Sequence, residues 1–173
     1  MKAILLASSF LLLLYVPLWV MGFRLNATAS MPVGVYRLED DRLERGDMVS
    51  FCLESELAAL ALERSYLRPG LCPSGVQPLL KRVVGLPGDR LAFGSEGVRI
   101  DGRLQPSSSI AARDNLGRAT PPPVLESGVI PAGKALLLSD NHAGGFDSRY
   151  FGLVPLAALR RARPILIFNT QGD

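Results

Sequence analysis

The feature that most constrains this chain is an uncharged apolar run over residues 3–23, AILLASSFLLLLYVPLWVMGF. As a helix it would extend about 31 Å, close to the roughly 30 Å of a bilayer core. It reads as a membrane span or a signal peptide. Tyr15 and Trp19 approach its far end as interfacial aromatics do, and Pro17 is placed to kink it. The run is long for a secretory h-region, which favours an uncleaved anchor over residues 1–24. Ala27-Thr28-Ala29 nevertheless has the small-x-small form of a cleavage site, so the cleaved alternative stays open. Residues 25–173 then form one domain of ordinary size.

Lys2 and the amino terminus favour a cytoplasmic start, whereas Arg24, Arg37, Arg42 and Arg45 beyond the run count against export. Long domains cross regardless of such charge, and the cysteines bear on the compartment. Cys52 and Cys72 are the only two, and no second pair or His cluster accompanies them to make a zinc site. Either they form a disulfide, which implies an oxidising compartment, or they are two buried thiols.

Charge excludes one class of function. The formal charge is +3, and without Lys2 and Arg24 it is +1. No basic stripe remains to bind nucleic acid. Of 19 basic residues only Lys2, Lys81 and Lys134 are lysines, and His142 is the single histidine. Arginine stays protonated, so a neutral-pH base must be Lys81, Lys134, His142, a carboxylate or the amino terminus.

Just beyond the apolar run, Asn26-Ala27-Thr28-Ala29-Ser30-Met31-Pro32-Val33-Gly34-Val35-Tyr36 presents Ser30 in a loop braced by Pro32 and Gly34. It is either an ordinary turn or the seat of a nucleophile. Strands are expected at Val33–Leu38 and Met48–Leu53, and a helix at Glu54–Tyr66 that ends at Pro69-Gly70. Since the cysteines flank this helix, a bridge would staple residues 53–72 as an insertion on a β scaffold. Leu79–Val84 reads as a strand containing Lys81 and Arg82, whose side chains must point to opposite faces. If the Lys81 face packs inward, burial lowers its pKa and makes it a usable base; otherwise its stem lies along the surface. An Asp101-Gly102 turn centres a hairpin, residues 105–128 form a Pro/Ser-rich loop, and Ala135–Ser139 is a buried strand. The polar cluster Asp140–Gly152 follows it, where binding and catalytic groups often sit. Leu156–Arg163 is a short basic segment and Pro164–Phe168 a last strand.

Three of these segments together resemble one family. Ser30-Met31-Pro32 after a membrane span, Leu80-Lys81-Arg82-Val83-Val84-Gly85-Leu86-Pro87-Gly88-Asp89, and Ser139-Asp140-Asn141 followed by Asp147-Ser148-Arg149-Tyr150-Phe151-Gly152 resemble, in order and spacing, the boxes of type I signal peptidases. The Ser30 loop and the Cys52–Cys72 insertion look most like the TraF-type proteases of conjugal transfer. The resemblance implies a mostly β, antiparallel signal-peptidase-like domain on one transmembrane helix, in the bacterial inner membrane with its catalytic domain in the periplasm. It implies Ser30 as nucleophile, Lys81 as general base, and Thr28 with the Ser30 N–H as oxyanion hole. It also implies an Asp147–Arg149 ion pair, with Asp147 contributing to activity, and no cofactor or metal. The implied partners are a protein substrate of the pilin-precursor type, the bilayer and the conjugative machinery. Gly145 stands where the family often has a lysine-orienting serine, which leaves Asp147 or Ser148 for that role. A general signal peptidase and a catalytically silent assembly subunit are the rival readings.

Overall fold

The computed structural model describes residues 16–28, 30–140 and 144–168. Most of the apolar run, and with it the expected anchor, lies outside the described residues. So does His142. Among the described residues no helix is long and apolar enough to cross a membrane.

The fold is mostly antiparallel β, as expected. Its larger sheet has seven strands in the spatial order β1-β2-β11-β3-β4-β9-β10. These are β1 (Phe23–Asn26), β2 (Gly34–Glu39), β3 (Met48–Phe51), β4 (Leu79–Gly85), β9 (Lys134–Leu138), β10 (Val154–Pro155) and β11 (Arg160–Ile167). A smaller sheet, ordered β7-β6-β5-β8, contains β5 (Arg90–Gly94), β6 (Gly97–Ile100), β7 (Arg103–Leu104) and β8 (Gly128–Val129). The predicted Asp-Gly turn links β6 to β7. Asp101 and Gly102 both have positive φ, the conformation a tight two-residue hairpin requires.

Strand β4 alternates between buried and half-buried residues along its whole length, so Leu79, Lys81, Val83 and Gly85 share the inward face. One apolar cluster gathers Val49, Phe51, Leu79, Val83, Ala135 and Leu137 under the short helix α1 (Ser55–Glu63). Ala58 and Ala61 of α1 are its fully buried contacts. A second cluster, built on Val98, Ile100, Ile130 and Leu136, lies beneath the smaller sheet. Both cores therefore meet the two faces of β9, whose Ala135–Leu138 are all buried.

Two sequence expectations need correction. Phe23, placed at the end of the apolar run, instead opens β1, which pairs with β2 from Phe23↔Arg37 to Asn26↔Gly34. The basic segment Leu156–Arg163 is also not a separate unit. Only Leu156–Ala158 is a 3-10 turn, and Arg160 begins β11, the longest strand. Its arginines lie beside Asp40, Asp47 and Glu39, so neighbouring acids neutralise what reads as a polar break. Gly34 is required where β2 meets β11, because a Cβ there would come within 2.3 Å of the Leu166 carbonyl oxygen.

The cysteines are bridged, 20 residues apart, and the bridge closes the base of the α1 excursion. Tyr66 from this insertion packs on Phe146 with ring centroids 5.3 Å apart, and its hydroxyl donates to Asp114 in the long loop. Opening this closure should therefore loosen more than the insertion itself. Cys52→Ser with Cys72→Ser is expected to cost about 3 kcal/mol, from the loop-closure entropy of a ring this size. Thermal melting of the protein checks it, with an expected Tm drop of roughly 6–12 °C.

Candidate active site

Lys81 lies in the middle of β4, between β3 and β9, where Val49 is its cross-strand partner. Its side chain is 4% exposed. Because β3 and β9 bring apolar residues to this face, the ammonium loses its water. Burial lowers the Lys81 pKa to about 8, while the negative charge of Asp147 opposes the fall. At pH 7.5 roughly a quarter of such lysines are neutral, against about 0.1% for an ordinary one.

The ammonium donates to Ser139 Oγ at 2.9 Å. Ser139 follows β9 and is itself buried. Its backbone N–H donates to Asp147 Oδ2 at 3.1 Å. Asp147 and Arg149 are both fully buried and form a two-point pair, with Nε to Oδ1 and Nη2 to Oδ2 each at 2.7 Å. Asp147 also caps the short helix α2 (Ser148–Phe151) by accepting from the Arg149 N–H. Both its oxygens are thus occupied within the protein. Arg149 reaches further, to the carbonyls of Gly145, Ser107 and Ser109, and fastens the start of the Pro/Ser-rich loop to the site.

Ser139 is the residue that sequence reasoning missed. Ser148, one of two candidates for orienting the lysine, instead accepts from the Leu137 N–H at 2.9 Å and braces β9. Asp147, the other candidate, reaches Lys81 only through Ser139. A signal was available, since Ser139 ends the strand beside β4 in the polar run Ser139-Asp140. Without the register it was indistinguishable from a turn opener.

Ser30 is half-buried in the connection from β1 to β2. Beside it, Met31 is fully buried and the Pro32 carbonyl accepts from the Tyr36 hydroxyl at 2.6 Å. Burial raises the Tyr36 pKa, the charge of Asp140 raises it further, and Arg82 opposes both. Asp140 and Arg82 are paired, and they directly follow Ser139 and Lys81 in sequence. Tyr36, which braces the Ser30 loop, therefore lies in the field of the Asp140–Arg82 pair beside Ser139 and Lys81. No hydrogen bond joins Ser30 to Lys81 among the described residues. Thr28 is exposed, and its hydroxyl donates to Asn26 Oδ1 at 2.7 Å.

A lysine buried in a sheet with its pKa lowered to about 8 can take up a proton near neutral pH, which is what a serine nucleophile requires of a neighbouring base. Comparison with known proteins gives the class: the signal peptidase, peptidase S26 family matches residues 1–164, and the chain belongs to this family. Among its relatives is the conjugal transfer protein TraF of Agrobacterium tumefaciens, 43% identical, with 86% of this chain and 84% of that one aligned. A plasmid transfer protein TraF of Escherichia coli is 35% identical over 86% of this chain and 85% of its own. A probable signal peptidase I-2 of Synechocystis is 31% identical over 69% of this chain and 45% of its own.

The lowered Lys81 pKa is also a statement about stability. Folding disfavours the charged lysine, so the folded chain gives up this proton near pH 8 and the unfolded chain near 10.5. Between those values the unfolded state binds more protons, and stability rises with pH. Lys81→Met is therefore expected to melt higher than the parent at pH 7, by about 1–3 kcal/mol in stability. The advantage should shrink above pH 8 and vanish near 10.5, which denaturant titrations across that range would measure.

Proposed function

We propose that the chain is a membrane-anchored serine endopeptidase, its domain on the outer face of the bacterial cytoplasmic membrane, that matures an exported substrate of conjugal transfer. The observation that carries this reading is the buried Lys81, held by Ser139 and with its pKa lowered to about 8, so that a substantial fraction is neutral at mildly alkaline pH. A dry lysine on a sheet is costly to stability, and a base for a nucleophile is the role that explains it. The family supplies the reaction class, and the TraF names of the relatives supply the process.

In the proposed mechanism Ser30 Oγ attacks the scissile carbonyl while its proton passes to the neutral Lys81 Nζ. The oxyanion is met by the Ser30 N–H and the Thr28 hydroxyl, donors typically worth about 3 kcal/mol each. Lys81 then gives its proton to the departing amine, leaving an acyl-enzyme on Ser30. A second nucleophile, again activated by Lys81, releases the product. Water gives a cleaved protein, whereas the amine of the substrate's own chain gives a head-to-tail cycle. Asp147 and Arg149 act behind the reacting atoms by fixing Ser139. A pilin precursor is the proposed substrate.

A general signal peptidase is the second reading, favoured by the similarity to the Synechocystis protein. The two separate by substrate. Full-length protein in membranes is incubated with the pilin precursor from the same transfer region and with a generic secretory precursor, and products are read by intact mass. Conversion of the pilin precursor alone supports the specialist, and a product one water lighter than the cleaved chain identifies cyclisation. Ser30→Ala and Lys81→Ala are expected to abolish conversion. Ser139→Ala should slow it about 10- to 100-fold without unfolding the protein. The parent's rate should rise with pH and level off above about 8, as Lys81 loses its proton. Parent-rate turnover by Lys81→Ala would remove it from the mechanism.

A further inference from the structure

One side chain in the Ser30 loop has more partners than a turn residue needs. Asn26 is the last paired residue of β1, opposite Gly34 at the start of β2, so its side chain sits at the mouth of the loop between them. Its Oδ1 accepts from the Thr28 N–H at 3.1 Å and from the Thr28 hydroxyl at 2.7 Å. Its Nδ2 faces three carbonyl oxygens, those of Thr28 at 3.1 Å, Met31 at 3.3 Å and Pro32 at 2.9 Å. The amide orientation follows from this chemistry, since the opposite one would set a carbonyl oxygen against three others and an NH2 against a donor. Asn26 thus bonds to the chain on both sides of Ser30.

We propose that Asn26 is a positioning residue for the reaction at Ser30, acting in two ways through its two amide ends. The Nδ2 end clamps the Met31 and Pro32 carbonyls and so sets the direction in which the preceding serine is presented. Tyr36 grips the Pro32 carbonyl as well, so that peptide is fixed from two sides. The Oδ1 end holds the Thr28 hydroxyl. That hydroxyl has one proton, and while it is donated to Asn26 it is not available to an oxyanion. When charge develops on the scissile oxygen, a charge-assisted bond competes with a neutral amide acceptor, and the Thr28 proton moves to the stronger one. The Thr28 N–H keeps the residue in place as its hydroxyl turns. Asn26 therefore stores the oxyanion donor in a defined position and releases it only in the transition state, where an interaction raises kcat.

This inference rests on the proposed roles of Ser30 and Thr28. Its test uses full-length protein in membranes and the pilin precursor, with initial rates measured over substrate concentration and pH, and with a thermal melt of each variant. Asn26→Ala is expected to lower kcat about 10- to 100-fold with KM little changed. Its pH midpoint should stay with the parent's, because Lys81 is untouched. Asn26→Asp retains an acceptor for Thr28 but offers no N–H to the Met31 and Pro32 carbonyls. It should be at least as slow, and it carries the test if Asn26→Ala does not fold. Combined with Thr28→Val, Asn26→Ala should cost less than the product of the two single losses, since both act on one donor. Turnover of Asn26→Ala at the parent rate, loss only in proportion to unfolded protein, a shifted pH midpoint, or fully multiplicative losses would each overturn the assignment. Activity in Ser30→Ala would instead overturn the mechanism on which it rests.

Discussion

The Asp147–Arg149 pair is the interaction on which the rest of the site depends. Both residues are completely buried, and an ion pair without water is tolerated only when every lone pair and proton finds a partner. Here those partners come from different parts of the chain. Asp147 takes the Ser139 N–H at the end of β9 and caps α2, while Arg149 takes carbonyls from the Pro/Ser-rich loop and from Gly145. Losing either ion would leave a buried charge unmatched, typically at a cost of about 3–5 kcal/mol. The pair therefore holds strand end, helix and loop in one arrangement. Lys81, bonded to Ser139, takes its position from the same arrangement.

Two opposing electrostatic effects act on that lysine. Desolvation between β3 and β9 lowers its pKa, while the buried Asp147 carboxylate raises it. Arg149 beside Asp147 offsets part of the carboxylate's effect, because its positive charge disfavours the ammonium. The ion pair thus does more than brace the fold. An unpaired Asp147 would hold Lys81 protonated, and an unpaired Arg149 would push its pKa lower still. Placing both there keeps the lysine near the pH at which a base is most useful.

The sequence made part of this legible. The β-branched and aliphatic content of Leu79–Val84 was enough to see a strand, strand geometry separated Lys81 from Arg82, and only the direction was open. That direction depends on what faces β4, and β3 and β9 lie about 30 residues before and 55 after Lys81. Local pattern does not carry such a pairing. The same limit hid Ser139, whose role depends on register between β4 and β9. The cysteine pair and the helix it flanks were visible because both are local. Strand β1 was missed because Phe23 continues the apolar run, and β11 because its arginines look polar until Asp40, Glu39 and Asp47 stand beside them.

The proposed nucleophile and base are held by different means, and the difference has a physical reason. Lys81 lies in the sheet, where burial sets its protonation and strand pairing sets its position. In its proposed role Ser30 has to meet a polypeptide, and it is only half-buried. It sits on a connection whose order comes from side-chain bonds, namely those of Asn26 and of the Tyr36 hydroxyl to Pro32. Tyr36 is buried in β2 and lies in the field of the Asp140–Arg82 pair, so the brace on the loop is referred to the strands that hold the lysine. A rigid, dry lysine and a clamped, half-exposed serine are thereby tied to one frame. Such a division lets the loop admit a substrate chain while the group that activates it stays where its proton affinity was set.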